Sequence, residues 1–568
     1  MPLAYDEPMP TRWADLQMLQ TRVRPVRSIL ESSVLRVFIG SIVGLLLQAA
    51  THETTITTAA RDNLAVKMPQ TIVGDNPVLP GDHADPSIIR IGDTYWATNT
   101  SSAWAPIFPI FSSRDLKTWK PEGSIFSDSP DWSSGNFWAP EFTLDQGHVR
   151  VYYTAQKVDG PLCVAVATAD RPQGPYIDHG PMVCQDVGSI DPSFIRDEHG
   201  KPYLIWKKDA NSVGRATTIF AQETTPDGLK LVGQSYKLIE NDSRWERQVV
   251  EAPCIFRRDG WFYLIYAGAA CCGRSCDYGV GIARSRKLLG PWLKDPDNPI
   301  IAGNNKWTCP GHGSVVESSK GDYYFLYHAY SKQGSVYSGR EGLMDQMTWN
   351  AKDWPVVNGG HGPSSGGAVM TYPIDDNFSG VTLGLRWEWP IYAKPDVNLS
   401  DGSLTLSPNP KLSADFLGGI LAQSTSMLTY TASATLLTDD MSPGELAGLA
   451  IIGDQWNAVG LSVQNGRSAV QWRRDKGIWK SLATAPLPPA RQIYLRLESK
   501  NGTLFSARYS SDGINWKGLG TPIDVSSLPP WDLGLRVGLT CGGTGGARAR
   551  FTGFHVEAVP SAQTRREE

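Results

Sequence analysis

Gly260-Trp-Phe-Tyr-Leu-Ile-Tyr266 opens on a glycine and runs straight into aromatic and branched residues, the make-up of a strand leaving a tight hairpin. Four other stretches share it: Gly92-Asp-Thr-Tyr-Trp-Ala97, Gly147-His-Val-Arg-Val-Tyr-Tyr153, Gly200-Lys-Pro-Tyr-Leu-Ile-Trp206 and Gly321-Asp-Tyr-Tyr-Phe-Leu-Tyr327. Their leading glycines fall 55, 53, 60 and 61 residues apart. A period near 50 residues built from short strands is the signature of a β-propeller, here with five blades. Six to nine residues before each glycine stands one reactive side chain: Asp85, Glu141, Asp191, Glu251 and then His312. Equivalent positions in the blades of a propeller face one axis, so the repeat predicts that these five groups converge.

A second element recurs behind the first. Ser112–Trp119, Ala167–Tyr176 and Ala283–Trp292 each read as a strand running into a turn that ends on an aromatic residue. The propeller is expected over residues 74–370, ending at the glycine-rich break Gly359-Gly-His-Gly-Pro-Ser-Ser-Gly-Gly367. Beyond it the texture changes to alternating strands such as Tyr430–Leu437, Ala447–Ile452, Ile493–Leu497 and Leu504–Tyr509, with Ser511–Trp516 and Leu533–Leu539 continuing the pattern. Residues 371–560 therefore read as a β-sandwich or jelly roll, an accessory packing or sugar-binding module. The fold class is all-β. No convergent acid set appears in this second part.

A chain of 568 residues exceeds one ordinary core, which agrees with two domains. With 53 basic against 57 acidic residues it lacks the basic excess of a nucleic-acid binder. Twenty Trp and twenty Tyr beside 56 Gly suit a turn-rich β protein offering flat faces to sugars. At the N-terminus, an arginine-bearing polar segment precedes the apolar run Val37–Leu47, too short for the roughly 20 residues of a membrane span. Residues 1–50 are expected to be a signal peptide or an N-terminal membrane anchor, and 51–73 a linker. The protein is thus expected to be secreted or periplasmic. Eight cysteines include the knot Cys271-Cys272-Gly-Arg-Ser-Cys276, whose spacing lacks the modules of a zinc site and suits a loop-stapling disulfide. The pairing is not legible.

Three of the blade starts carry a carboxylate beside a proline: His83-Ala-Asp85-Pro-Ser87, Ser189-Ile-Asp191-Pro-Ser193 and Val249-Val-Glu251-Ala-Pro253. Cleaving a glycosidic bond takes two carboxyl groups, one as acid and one as base or nucleophile. A third can orient the acid and raise its pKa by like-charge repulsion.

At these residues the chain resembles glycoside hydrolase family 43, whose A-D-P-S, D-P-S and E-[AG]-P motifs recur here in order. The resemblance spans about 74–370 and implies a five-bladed propeller that hydrolyses with inversion. It implies Asp85 as general base, Glu251 as general acid and Asp191 as the residue that tunes the acid. Phe137-Trp-Ala-Pro-Glu141 resembles the family's second-blade motif, implying that Trp138 stacks on a sugar and Glu141 lines the pocket. Gly311-His312-Gly-Ser314 resembles its fifth-blade segment, where the histidine in some members helps hold a calcium ion through water. Calcium prefers oxygen ligands, and no cofactor is required by the chemistry. Arg340, in Gly339-Arg340-Glu, resembles a substrate-reaching arginine. The C-terminal part resembles the concanavalin-like sandwich attached to many members.

The resulting expectation is an inverting hydrolase for arabinofuranosyl or xylosyl linkages of arabinan, arabinoxylan or derived oligosaccharides, with α-L-arabinofuranosidase favoured. A β-xylosidase or endo-arabinanase of the same family is the alternative. A non-catalytic carbohydrate-binding propeller is the alternative from another class. No stable protein partner is expected.

Overall fold

Each repeat folds as four antiparallel strands in the computed structural model, which describes residues 76–365 and 374–559. The expected leader (1–50) and linker (51–73) lie outside the described residues. Among the described residues, five four-stranded sheets follow one another in sequence and form the propeller. Blade one comprises Ser87–Ile91, Thr94–Thr98, Ile107–Ser113 and Lys120–Phe126. The innermost strands of blades two to five are Ser133–Asp145, Ser189–Arg196, Val250–Arg258 and Trp307–Glu317. Each pairs with the aromatic strand that follows its turn glycine, so the five quoted stretches lead into the second strands. The second recurring element is the third strand and its turn. Trp119, Tyr176 and Trp292 each stand one residue before a fourth strand.

Apolar clusters fill the wedges between blades. Phe142, Val151, Tyr153 and Ala165 sit with Ile107 and Phe108 of blade one, while Tyr263 and Ile282 of blade four meet Phe325 and Tyr327 of blade five. The ring is latched by its ends. Val78 and Leu79 donate backbone N–H groups to Gly342 O in blade five, and Gly342 N–H donates back to Leu79 O. Asn76 adds side-chain bonds to the Met344 carbonyl and to Ser364.

The sandwich packs an eight-stranded sheet against a six-stranded one over a core that includes Leu406, Leu436, Leu449, Leu461, Leu495 and Phe551. One expected strand differs: Ser511–Trp516 is a turn between Leu504–Ser510 and Lys517–Asp524. The Asp512 carboxylate accepts the N–H groups of Ile514 and Asn515, and this local capping outcompetes extension.

Propeller and sandwich share a core. Trp104 and Ala105 of blade one pair with Trp389 and Pro390, and the Trp104 indole lies among Leu446, Ile452, Trp472 and Leu533 of the sandwich. Arg536 of the sandwich lies 5.4 Å from that ring's centroid and ion-pairs with Asp82 of the propeller. Trp104→Ala should therefore destabilise the protein by about 3–5 kcal/mol, the cost of emptying a buried indole site. Urea denaturation should register it as a lower midpoint, and an unchanged midpoint would deny that the two domains share a core.

Candidate active site

All five innermost strands carry the same backbone kink. Asp85, Ala139, Asp191, Ala252 and Cys309 each precede a proline and each has positive φ, at 51°, 48°, 56°, 56° and 55°. Proline disfavours the right-handed helical region for the residue before it. A left-handed non-glycine residue costs about 1–3 kcal/mol and persists only where its surroundings hold it. In blades two to five the kink coincides with a bulge in the pairing of the innermost strand, so the chain can turn side chains toward the axis there.

This kink corrects the registration drawn from the turn glycines. Asp85 and Asp191 share one position, but Glu251 stands one residue earlier, in register with Trp138. Glu141 stands two residues after the kink, in register with Ser87 and Cys254, and His312 three after. The five reactive groups therefore occupy different depths. Their count from the glycine varied because the lengths between kink and turn differ.

Asp85 is the most heavily bonded of the acids. Its Oδ2 accepts from the Thr100 hydroxyl at 2.7 Å, and its Oδ1 accepts from Arg340 Nη1 at 3.0 Å. Nδ1 of His312 lies 3.4 Å from the same Oδ1. His328 Nδ1 accepts the Asp85 backbone N–H at 3.0 Å, which assigns the ring proton to Nε2. Burial lowers the His328 pKa to about 4, so that ring is neutral. Burial pushes the Asp85 carboxyl up, but the buried Arg340 charge, with smaller help from His312, outweighs it and holds Asp85 well below the usual carboxylate range.

Asp191 and Glu251 sit in the opposite environment. The Asp191 Oδ2 accepts the Ala252 N–H at 2.9 Å, which ties the carboxyl to the strand carrying Glu251. Burial lifts the Asp191 pKa to about 6; His312 opposes the rise and Glu251 adds to it. The Glu251 oxygens are both engaged: Oε2 accepts from Lys207 Nζ at 2.6 Å, and Oε1 from the Tyr278 hydroxyl at 2.7 Å. Lys207 also bonds Asp209 at 2.8 Å. Tyr278 reaches this position because residue 311 is glycine. A Cβ there would stand 1.9 Å from the tyrosine ring. The Cys276–Cys309 disulfide holds the Tyr278 loop against the same strand, so the cysteine knot acts on the site through Tyr278. Cys271 and Cys272 bond to each other, and Cys163 to Cys184.

Glu141 is half-buried, and burial lifts its pKa to about 8 despite a bond from Ser87, so it is a neutral acid at neutral pH. Trp138 donates its indole N–H to Ser102 Oγ at 3.0 Å and meets Trp531 of the sandwich edge-to-face at 5.8 Å. Trp531 is 59 % exposed. Its neighbour Asp532 accepts from Ser102 through Oδ2, and its carbonyl accepts from Arg340 Nη2 at 3.0 Å. The sandwich thus supplies part of the wall around Asp85 and Arg340. A cavity of about 340 Å³ between blade one and the sandwich, lined by His83, Phe111, Trp119 and Trp387, contains none of the three catalytic candidates and meets the cluster at Thr100 and at Asp82, which accepts the Arg340 backbone N–H.

The calcium expectation meets a poor donor set. His312 offers nitrogen where calcium takes oxygen, so it does not fit as a direct ligand, and each Asp85 oxygen beside it already accepts one bond, from Arg340 or Thr100. Among the described residues no group of three or more His, Cys, Asp or Glu side chains could hold a metal ion.

Asp85, Asp191, Glu251, His312 and Arg340 come together in one network. Trp138 joins it through Ser102 and Asp532, while the Glu141 carboxyl is bonded by Ser87. Sequence reasoning missed Thr100, Lys207, Tyr278 and His328. Lys207 had one available signal: a lysine in Trp206-Lys-Lys208 at the end of an apolar strand, in a repeat whose neighbours place three acids on the axis. The others have no signal of their own: Thr100 and Tyr278 lie in loops just outside strands, and His328 sits inside an aromatic strand that reads as packing.

Two family models match the chain. Glycosyl hydrolases family 43 matches residues 74–355, and the Beta xylosidase C-terminal Concanavalin A-like domain matches 375–557. The chain belongs to glycosyl hydrolases family 43 and is a glycoside hydrolase. It is 27% identical over 445 residues to a xylosidase/arabinosidase of Butyrivibrio fibrisolvens, covering 71% of this chain and 82% of that protein. A beta-xylosidase of Bacillus subtilis is 29% identical over 374 residues, covering 59% and 67%. The crystal structure of the family 43 BlXynB protein from Bacillus licheniformis superposes with a TM-score of 0.74 at 26% identity, covering 86% of this chain and all of that one.

The raised Glu141 pKa has a consequence for stability. A folded pKa near 8 against an unfolded value of 4.5 means that the folded state binds the extra proton between those values. Its contribution is fully present below pH 4.5 and is lost as pH rises through about 8. Glu141→Gln, which cannot ionise, should gain in melting temperature relative to wild type from pH 5 to 8 and hold that gain above. A difference that does not vary with pH, followed by scanning calorimetry, would show that Glu141 titrates normally.

Proposed function

We propose that this hydrolase removes terminal pentosyl units with inversion of the anomeric centre. Asp85 is the general base, Glu251 the general acid and Asp191 the residue that keeps the acid in its working state. The observation that carries this reading is the split between the acids: Asp85 is held as a carboxylate by Arg340, while Asp191 is pushed up beside Glu251. A base must be ionised to take a proton, and Arg340 meets that requirement at Asp85, while Asp191 is tied through the Ala252 N–H to the strand that carries the acid. In the reaction, Asp85 takes a proton from water as its oxygen bonds the anomeric carbon. The glycosidic bond breaks, and Glu251 gives its proton to the leaving oxygen. Inverting enzymes separate the two carboxyls by about 6.5–9.5 Å to admit that water.

Terminal action is supported by the sandwich contacts at Arg340, Ser102 and Trp138, which wall one side of the site. For the sugar, β-xylosyl is the first reading, because the B. subtilis relative is named a beta-xylosidase and the B. fibrisolvens one a xylosidase/arabinosidase. The second name keeps α-L-arabinofuranosyl as the second reading. Export is part of the proposal, supported by three disulfides among the described residues.

Release of nitrophenol and sugar from nitrophenyl xyloside, nitrophenyl arabinofuranoside, xylobiose and linear arabinan tests all of this. Hydrolysis of the xyloside is expected to be fastest, with monosaccharide as the product. Glu251→Gln should cut xylobiose hydrolysis by about 10²–10⁴-fold, the range for general acid catalysis. Oligosaccharide products from arabinan would favour endo action, and a fully active Glu251→Gln would remove Glu251 from its role.

A further inference from the structure

Buried cations are rare unless paired, and Lys207 is a buried lysine placed on the candidate general acid. Its side chain is 1 % exposed, and its ammonium reaches Glu251 Oε2 at 2.6 Å and Asp209 Oδ1 at 2.8 Å. An ammonium has donors only, so the oxygen it contacts is an acceptor in every protonation state of Glu251. The other oxygen, Oε1, faces the Tyr278 hydroxyl, which can donate or accept. We propose that Lys207 is a positioning residue that pins Oε2 of Glu251, so that Oε1 alone carries the proton given to the leaving oxygen. Tyr278 donates its hydroxyl proton to the remaining lone pair of Oε1, which leaves the acid's proton free to face the leaving oxygen.

The same contact favours the transfer itself. When Glu251 hands its proton to the leaving oxygen it becomes a carboxylate, and the charge that develops faces a preplaced ammonium in a dry site. The ammonium is securely charged: burial works against it, but Glu251 and then Asp209 raise its pKa above the ordinary lysine value. The groups facing Glu251 come from several elements. Lys207 and Asp209 belong to the second strand of blade three and its end, Asp191 to the innermost strand of that blade, and Tyr278 to the blade-four loop. Asp85 and His312, from blades one and five, act on Asp191 from the far side. Asp191 opposes Lys207 in sign. Glu251 thus stands between a carboxyl tied to its own strand and an ammonium on its Oε2.

The proposal rests on Glu251 being the general acid, and the test separates the two. Profiles of kcat/KM against pH would be measured for wild type, Lys207→Met, Asp209→Asn and Glu251→Gln, on nitrophenyl xyloside and xylobiose. The alkaline limb reports loss of the acid's proton. Lys207→Met removes a positive charge in contact with the acid, so its limb should move up by about 1–3 pH units. Its kcat on xylobiose, whose leaving group needs the proton, should fall at least about tenfold more than on the nitrophenyl substrate. Asp209→Asn removes a negative charge and leaves Lys207 to Glu251 alone, so its limb should move down. Opposed shifts are not a result that simple loss of packing gives. Asp209→Asn supplies the answer by itself if Lys207→Met does not fold. Limbs that coincide with wild type, or move together, overturn the proposal while leaving Glu251 in place. A Glu251→Gln profile that keeps the wild-type limb overturns the acid assignment and the proposal with it.

Discussion

The ion pair between Asp85 and Arg340 is the constraint on which the rest of this structure depends. Both side chains are buried, at 11 % and 5 % exposure, where an unpaired charge is severely destabilising. Their geometry has to be completed from several directions. Thr100 of blade one, His312 and His328 of blade five and the Asp532 carbonyl of the sandwich each contact one member of the pair. The first and last blades must therefore close on each other, and the sandwich must dock, before the base is correctly held. The backbone latch at Gly342 and the Trp104 anchor serve that requirement directly.

From that fixed anion the chemistry of the other acids follows. Asp191 shares the kinked position of Asp85 but lacks an arginine, so burial dominates and its pKa rises to about 6. Identical backbone and different partners give two carboxyls of opposite behaviour. Glu251, one residue out of step, reaches a third environment between Lys207 and Tyr278. Small departures from the repeat thus produce the division of labour that hydrolysis needs.

Much of the fold was legible because aromatic strands behind turn glycines repeat at a nearly constant period, and local chemistry alone sets that pattern. The acids were legible because proline marks the kink that presents them. Two things were not. The depth of each group along the axis depends on bulges, and no residue type announces a bulge. Partners such as Lys207 and His328 lie on second strands of the blades, where a side chain faces the axis or a neighbouring blade according to closure of the whole ring. Ser511–Trp516 failed for a different reason: Asp512 offered its own backbone a tighter turn than the alternating pattern suggested.

The central claim is that Asp85, held as a carboxylate, activates water against the face opposite Glu251. Proton NMR of the first sugar released, recorded before mutarotation, tests it most directly. The account predicts an anomer opposite to that of the substrate. Retention of configuration would mean that a carboxylate attacks the sugar itself, and would contradict it.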